Sequence, residues 1–271
     1  KNNEGYLHSL EKVLGAIKMP HKSALTRLRK KICFTFFRDK LDKLSADFDP
    51  HRKTYMDMKI YAVDGMQLHL PRTEDIIAAG YTGRAVSKYR ESYQPRMYLV
   101  HAYDVLSGVT KAVREGAFLD EQHWAKEFVP EFEKKSLTLY DRLYISRELI
   151  QLHKRSKNYF LMRARKSSFK EVREFYNQEK KRKFLRVDGV DLIMVKMFNP
   201  ETKEYDVFVT NLPSHFCFIE FIRDLYGLRW EVETSFKELS EAMQVQQWHP
   251  PGVVRDVLAD ELHENPRKYV Q

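Results

Sequence analysis

Residues 58–65 read MKIYAVDG, a short apolar run that closes on Asp64 and Gly65. Its length and its Ile, Tyr, Ala and Val predict a strand, with Asp-Gly as the turn that ends it. Outward from there, MYLVHAYDVLSG (97–108) and VTKAVREGAF (109–118) predict two more strands joined at Ser107-Gly108. DEQHWAKEFVPEFEKK (120–135) is helical in character, with Pro130 as an interruption. SLTLYDRLYIS (136–146) is strand-like and carries Asp141 near its end; SRELIQLHKRSK (146–157) predicts a helix and YFLMRARKSSF (159–169) a strand. Three consecutive strands, a helix, a strand, a helix and a strand make the pattern of a mixed α/β sheet, here given to a core that begins at 51–165.

The flanks differ in kind. Residues 1–50 read as helical: Leu7, Leu10, Val13, Leu14 and Ile17 keep helical spacing up to Pro20. Ser23–Leu44 then sets Leu25, Leu28, Ile32, Phe36 and Phe37 on one side and Lys22, Arg27, Arg29, Lys30 and Lys31 on the other, a basic face that suits either DNA or plain solvent. Residues 72–96 are polar and rich in turn formers. Residues 166–212 alternate like antiparallel strands around an NPETKE turn and read as a β-rich insert. Within 213–249, Ser214–Ser240 predicts one long helix with Phe218, Phe221, Leu225, Leu228, Val232, Phe236 and Leu239 as its apolar stripe. The tail, 250–271, carries Pro250, Pro251 and Pro266 and reads as irregular.

Charge narrows the partner. Among 271 residues, 47 Lys and Arg stand against 38 Asp and Glu, a net charge of +9 that favours a polyanion, since each cation placed on a phosphate releases counterions. The two cysteines, Cys33 and Cys217, sit in apolar surroundings and read as buried reduced thiols. No apolar run approaches the roughly 18 residues that span a bilayer, and KNNEGYLHSL has no signal-peptide pattern. A cytoplasmic protein away from membranes is expected.

Three carboxylates stand where chemistry is placed. Asp64 and Asp141 close strands, and Glu233 projects from the long helix. Acids brought together from separate elements repel one another unless cations neutralise them. Mg²⁺ takes a few carboxylates plus waters and phosphate oxygens, and two such ions serve in-line phosphoryl displacement. Singly, each acid has a plainer role, because Asp after a strand caps turns and a helical Glu faces water. On a continuous helix, Tyr226, Arg229, Glu233, Lys237 and Ser240 fall within roughly 80° of the circumference, beside the apolar stripe. A surface ladder Arg229–Glu233–Lys237 would explain the charges but leaves Tyr226 and Trp230 without a part.

LYGLRWEVETSFKELS (225–240) resembles the Y-R-E-K signature of bacterial insertion-sequence transposases of the DDE type, the IS-four family. Tyr226, Arg229 and Glu233 fit its register. YAVDG resembles the first-Asp motif, and LYDRLYIS the second, with Leu143 where the pattern has Gly. The resemblance covers about residues 58–249. It implies an RNase H-like fold with a β-rich insert before the Glu, and Asp64, Asp141 and Glu233 as catalytic ligands of two Mg²⁺, which Mn²⁺ replaces. It further implies DNA contacts by Tyr226, Arg229, Arg142 and Tyr144, and a homodimer in the active complex. Cleavage by activated water would precede hairpin formation and strand transfer by the freed 3′-hydroxyl. Two departures stand out. Ser240 occupies the position of the signature Lys, with Lys237 one turn earlier able to reach similar phosphates. The tail after His249 lacks the apolar helix expected to finish the core. Three other functions compete with the transposase: an RNase H-fold nuclease that cuts without joining, a transposase-derived protein that only binds DNA, and an RNA-binding protein.

Overall fold

The computed structural model describes residues 34–81, 85–87, 90–91, 95–117 and 121–242, together with Arg27. The chain divides into two compact units, residues 1–47 and 48–271. In the first, the described part is helix α1 (Phe34–Phe48), with Arg27 helical and exposed. The helix expected over residues 7–17, the basic residues Lys30 and Lys31, Cys33 and the tail 250–271 lie outside the described residues.

The second unit opens with β1 (Ile60–His69), the short α2 (Glu74–Ala78) and a small ladder of β2 (Ala85–Ser87) with β3 (Arg90–Glu91). β4 (Arg96–Asp104), β5 (Val109–Gly116), α3 (Glu121–Phe128), β6 (Leu137–Tyr140), α4 (Arg147–Ser156) and β7 (Tyr159–Ala164) follow. α5 (Lys170–Tyr176), β8 (Arg182–Val187), β9 (Val190–Asn199), β10 (Glu204–Thr210), α6 (Ile219–Gly227) and α7 (Trp230–Ala242) complete it. Eight strands form one sheet in the order β5-β4-β1-β6-β7-β10-β9-β8. β5, β4 and β1 are an antiparallel meander, and β6 and β7 join β1 in parallel after helical crossovers. Three strands of meander continued by two parallel strands are an RNase H-like core. β10, β9 and β8 extend the same sheet antiparallel beyond β7. The β-rich segment is therefore continuous with the core, and residues 48–271 form one unit.

Period-two alternation builds a core on each face. Tyr61, Val63, Tyr140, Phe160 and Met162 pack under α3, α4 and α5 with Phe128, Leu149 and Phe175. Ile60, Ala62, Leu137, Leu139 and Leu161 face the other way, against Ile222 and Leu225 of α6 and Val232 and Phe236 of α7. Strands covered on both sides need apolar residues at every position, which is why IYAV and LTLY read as unbroken runs. No helix among the described residues is long and apolar enough to cross a membrane.

Two expectations are corrected. β1 does not turn at Asp64-Gly65: it runs on to His69, because β4 stays paired with it through Gly65↔Val100 to His69↔Arg96. The single helix over Ser214–Ser240 is instead a 3₁₀ turn at Ser214–Phe216, then α6, then α7. At the junction, the N–H groups of Arg229, Glu231 and Val232 donate to the carbonyls of Tyr226, Leu228 and Arg229, three residues back, so the helix tightens there. The apolar stripe reads straight through because both helices rest on the same core, although Phe218, counted in it, is exposed.

Candidate active site

The parallel pairing of β1 with β6 ends at Val63↔Tyr140, and the next residue on each side is Asp64 and Asp141. Adjacent strands lie about 4.8 Å apart, so the two carboxylates leave the sheet from neighbouring backbone positions. β6 stops there while β1 continues along β4, which leaves one side of Asp64 open. Alternation carries Asp64 to the face of Ile60 and Ala62, the face covered by α6 and α7. There it meets Arg229, whose Nη1 donates to Asp64 Oδ2 at 3.3 Å and whose Nη2 donates to Glu233 Oε1 at 2.6 Å. One guanidinium thus joins the first acid to the third across 165 residues of sequence. The tightened turn between α6 and α7 sets Arg229 one turn before Glu233 at the start of α7, as an i,i+4 pair.

The acids strain one another. Burial raises the Asp64 carboxyl to about 6, with Glu233 and Glu121 adding repulsion, against the Gly65 N–H and Arg229. Glu121 is also raised, first by burial and then by Asp141, with the Tyr144 hydroxyl beside it acting in the opposite direction. Asp141 Oδ1 accepts the N–H of Arg142 at 2.6 Å, which fixes the turn after β6. Around this group, Arg229 Nε is buried without a hydrogen-bond partner, and the buried hydroxyls of Tyr226 and Tyr144 lie beside Arg229 and Glu121.

Oxygen donors of this kind fit a hard divalent cation. Arg229 pairs with two of these carboxylates, Asp64 and Glu233, and the repulsion that remains among the acids is what a cation relieves. Among the described residues, no three His, Cys, Asp or Glu form a closed metal-binding group. Arg229 lies between Asp64 and Glu233, so a cation bound to both requires that guanidinium to release one of them.

Residues 55–250 match the family model described as the transposase DDE domain. The chain belongs to the DDE transposase-domain family. A search of curated proteins finds no match. Among solved structures the chain is similar to piggyBac transposase, in a cryo-EM structure of its synaptic complex with hairpin DNA. The identity is 14% and the TM-score 0.49, over 82% of this chain and 48% of that one, so the chain spans about half the length of that transposase.

In this DDE domain the remaining sequence-derived residues separate by exposure. Arg142 and Lys237 are exposed and free to meet a ligand. Tyr144, expected at DNA, is 1% exposed: its ring packs against Tyr140 in the core under α3 and α4, and its hydroxyl lies beside Glu121. Arg229 is 7% exposed and paired to carboxylates, and Tyr226 is half-buried against Phe208. Ser240 falls within α7. Glu121, whose carboxylate packs against Gly65 beside Asp64, went unnoticed in the sequence. Its signal was slight, an acidic residue in the first turn of the helix after the third strand, where acids are common for helix-dipole reasons.

Proposed function

We propose that this domain is the catalytic core of a transposase that cuts the ends of its element and joins them to target DNA by divalent-metal-dependent phosphoryl transfer. Asp64, Asp141 and Glu233 are the metal ligands in this proposal. One observation carries it: Arg229 ties Asp64 to Glu233 at a strand position that parallel register places beside Asp141. Divalent cations, two Mg²⁺ or Mn²⁺, would supply Lewis acidity to the attacking and leaving oxygens.

The chain's own residues supply the rest. Arg229 neutralises the carboxylates while the site is empty of cation, and its planar fork suits a phosphate oxygen once it is released. Tyr226 holds its hydroxyl in the same region, near enough to Asp141 and Arg229 to interact with both. Arg142 and Lys237 offer exposed positive charge at the rim, Lys237 in place of the signature Lys that Ser240 replaces. The intermediate in this reading is a DNA hairpin, formed when the 3′-hydroxyl left by the first cut attacks the opposite strand, and the active form is a homodimer.

The test is cleavage and strand transfer on supercoiled plasmid carrying the element's termini, with Mg²⁺ or Mn²⁺. Asp64→Asn, Asp141→Asn and Glu233→Gln should each abolish cleavage and keep DNA binding; cleavage retained in all three defeats the assignment. Nicking without joined products would instead indicate a nuclease. A second reading, DNA binding without catalysis, draws on Ser240. Binding that persists in EDTA, with no cleavage by the unaltered chain in either metal, would establish it.

A further inference from the structure

The positive charge of this chain is concentrated. Residues 163–183 hold nine Lys and Arg against three Glu, so +6 of the net +9 falls within 21 residues. The fold brings both ends of that stretch to the end of the sheet where the acids lie. Met162 on β7 is level with Tyr140, so Arg163 is level with Asp141. Pairing then continues from Arg163 to Phe208 on β10, Val195 on β9 and Arg182 at the start of β8. β8 is thus entered from the end of the sheet at which β6 stops. Four strand spacings of about 4.8 Å separate β6 from β8, which sets Lys181 and its neighbours roughly 19 Å from Asp141.

The segment that carries these lysines is fixed in place. Lys196 on β9 is 4% exposed, and its Nζ donates to the carbonyls of Tyr176, at 3.2 Å, and of Gln178, just after α5. Its backbone N–H donates to the carbonyl of Lys181 at 2.8 Å. Arg182 is engaged as well: Nη2 donates to the carbonyl of Ser214 at 2.9 Å, and the guanidinium lies 4.7 Å from the centre of the Phe184 ring. The charges on either side of it are not engaged. Lys180 and Lys181 are exposed and Lys183 is half-buried, and among the described residues none of the three enters an ion pair. Other cations nearby do have acids, Lys170 with Glu174 and Arg186 with Asp191. β8 is the outermost strand, so the three lysines meet whatever approaches that edge. Edge lysines also guard a free strand against pairing with another chain, but that role needs neither a fixed loop nor alignment with the acids.

We propose that Lys180, Lys181 and Lys183 form a docking surface for the phosphate backbone of duplex DNA beside the phosphate to be cut. The proposal rests on the DNA-cutting reading above. At about 3.4 Å per base pair, ~19 Å spans about five or six base pairs, so a duplex lying across the strand ends meets the lysines about half a helical turn from the cut. Contacts of this kind position the duplex without reading its sequence. The test is fluorescence anisotropy of the full chain on a labelled duplex in EDTA, over a range of salt concentrations. A triple variant, Lys180→Gln with Lys181→Gln and Lys183→Gln, is compared with Lys134→Gln, Lys135→Gln and Lys157→Gln together. The second triple variant removes the same charge from exposed positions ahead of β6 and β7, at the other end of the sheet. The first should bind about tenfold or more weakly, its logarithmic salt dependence shallower by about two to three units; the second should bind as the unaltered chain does. Urea unfolding checks that both fold; if the first does not, Lys181→Gln alone replaces it, with a slope shallower by about one unit. Equal losses in the two triple variants, or none in either, overturn the docking surface and leave the DNA reading standing. No duplex binding by the unaltered chain overturns both. Single-stranded RNA bound more tightly than the duplex, and released by the first triple variant, overturns the choice of DNA.

Discussion

Replacing Asp64 by Asn should make the metal-free domain more stable at neutral pH, although it removes an ion pair. Burial and the charges of Glu233 and Glu121 lift the Asp64 carboxyl from 3.8 to about 6, and the help from Arg229 is already contained in that figure. The folded state therefore takes up a proton more readily than the unfolded chain. The sign follows: the penalty is absent well below the unfolded value, grows as pH rises from about 4 to about 6, and is constant above. At about 1.4 kcal/mol for each tenfold change in proton affinity, a rise from 3.8 to about 6 gives roughly 3 kcal/mol above pH 6. The side chain is 22% exposed, so screening reduces the expected gain for Asp64→Asn to about 1–3 kcal/mol at pH 7.5. At about pH 4 the variant and the unaltered chain should nearly coincide. The assay is urea unfolding in EDTA, followed by tryptophan fluorescence at both pH values. A variant no more stable at pH 7.5, or a gain that does not shrink with acid, refutes the claim that Asp64 is held charged against its surroundings. Added Mg²⁺ should stabilise the unaltered chain and leave Asp64→Asn nearly unmoved.

Arg229→Ala should bind Mn²⁺ more tightly than the unaltered chain, because the guanidinium and the cation compete for Asp64 and Glu233; equal or weaker binding in an Mn²⁺ titration counts against that competition. The same variant should bind end DNA more weakly, its logarithmic salt dependence shallower by about one unit. Away from the site, Arg52 and Asp104 form a fully buried pair at 3.1 Å, so Asp104→Asn should destabilise the domain by about 3–5 kcal/mol in urea, and a loss under 1 kcal/mol would contradict it. His153 is fully buried against Tyr140 and burial depresses it to about 3; it favours folding above its unfolded value near 6.5, and that stability fades as pH falls toward 3. His153→Gln should flatten the loss of stability between about pH 6.5 and 4, measured as unfolding free energy at each pH.

Local pattern made the central sheet legible. Strands buried on both faces need apolar residues throughout, and the helices between them repeat at another period, so β1, β4 to β7, α3 and α4 could be read from the residues alone. The break between α6 and α7 could not, since both helices lie on one core and the stripe from Phe221 to Phe236 keeps helical spacing across it. The end of β1 was misread for a related reason. Asp-Gly is a strong turn signal, and what overrides it is the unbroken pairing with β4, more than thirty residues away.

The sequence by itself determined the alternation that makes the sheet, the acids at its strand ends, the Tyr226–Arg229–Glu233 spacing and the excess of positive charge. Each of these is a property of residues near one another in the chain. Only the tertiary structure decided that Arg229 bridges Asp64 and Glu233, that Tyr144 is buried, and that Gly65 makes room for Glu121. Those are contacts between side chains far apart in sequence, and no periodicity records them: they exist once parallel register has put Asp64 beside Asp141 and the two faces of the sheet have been covered.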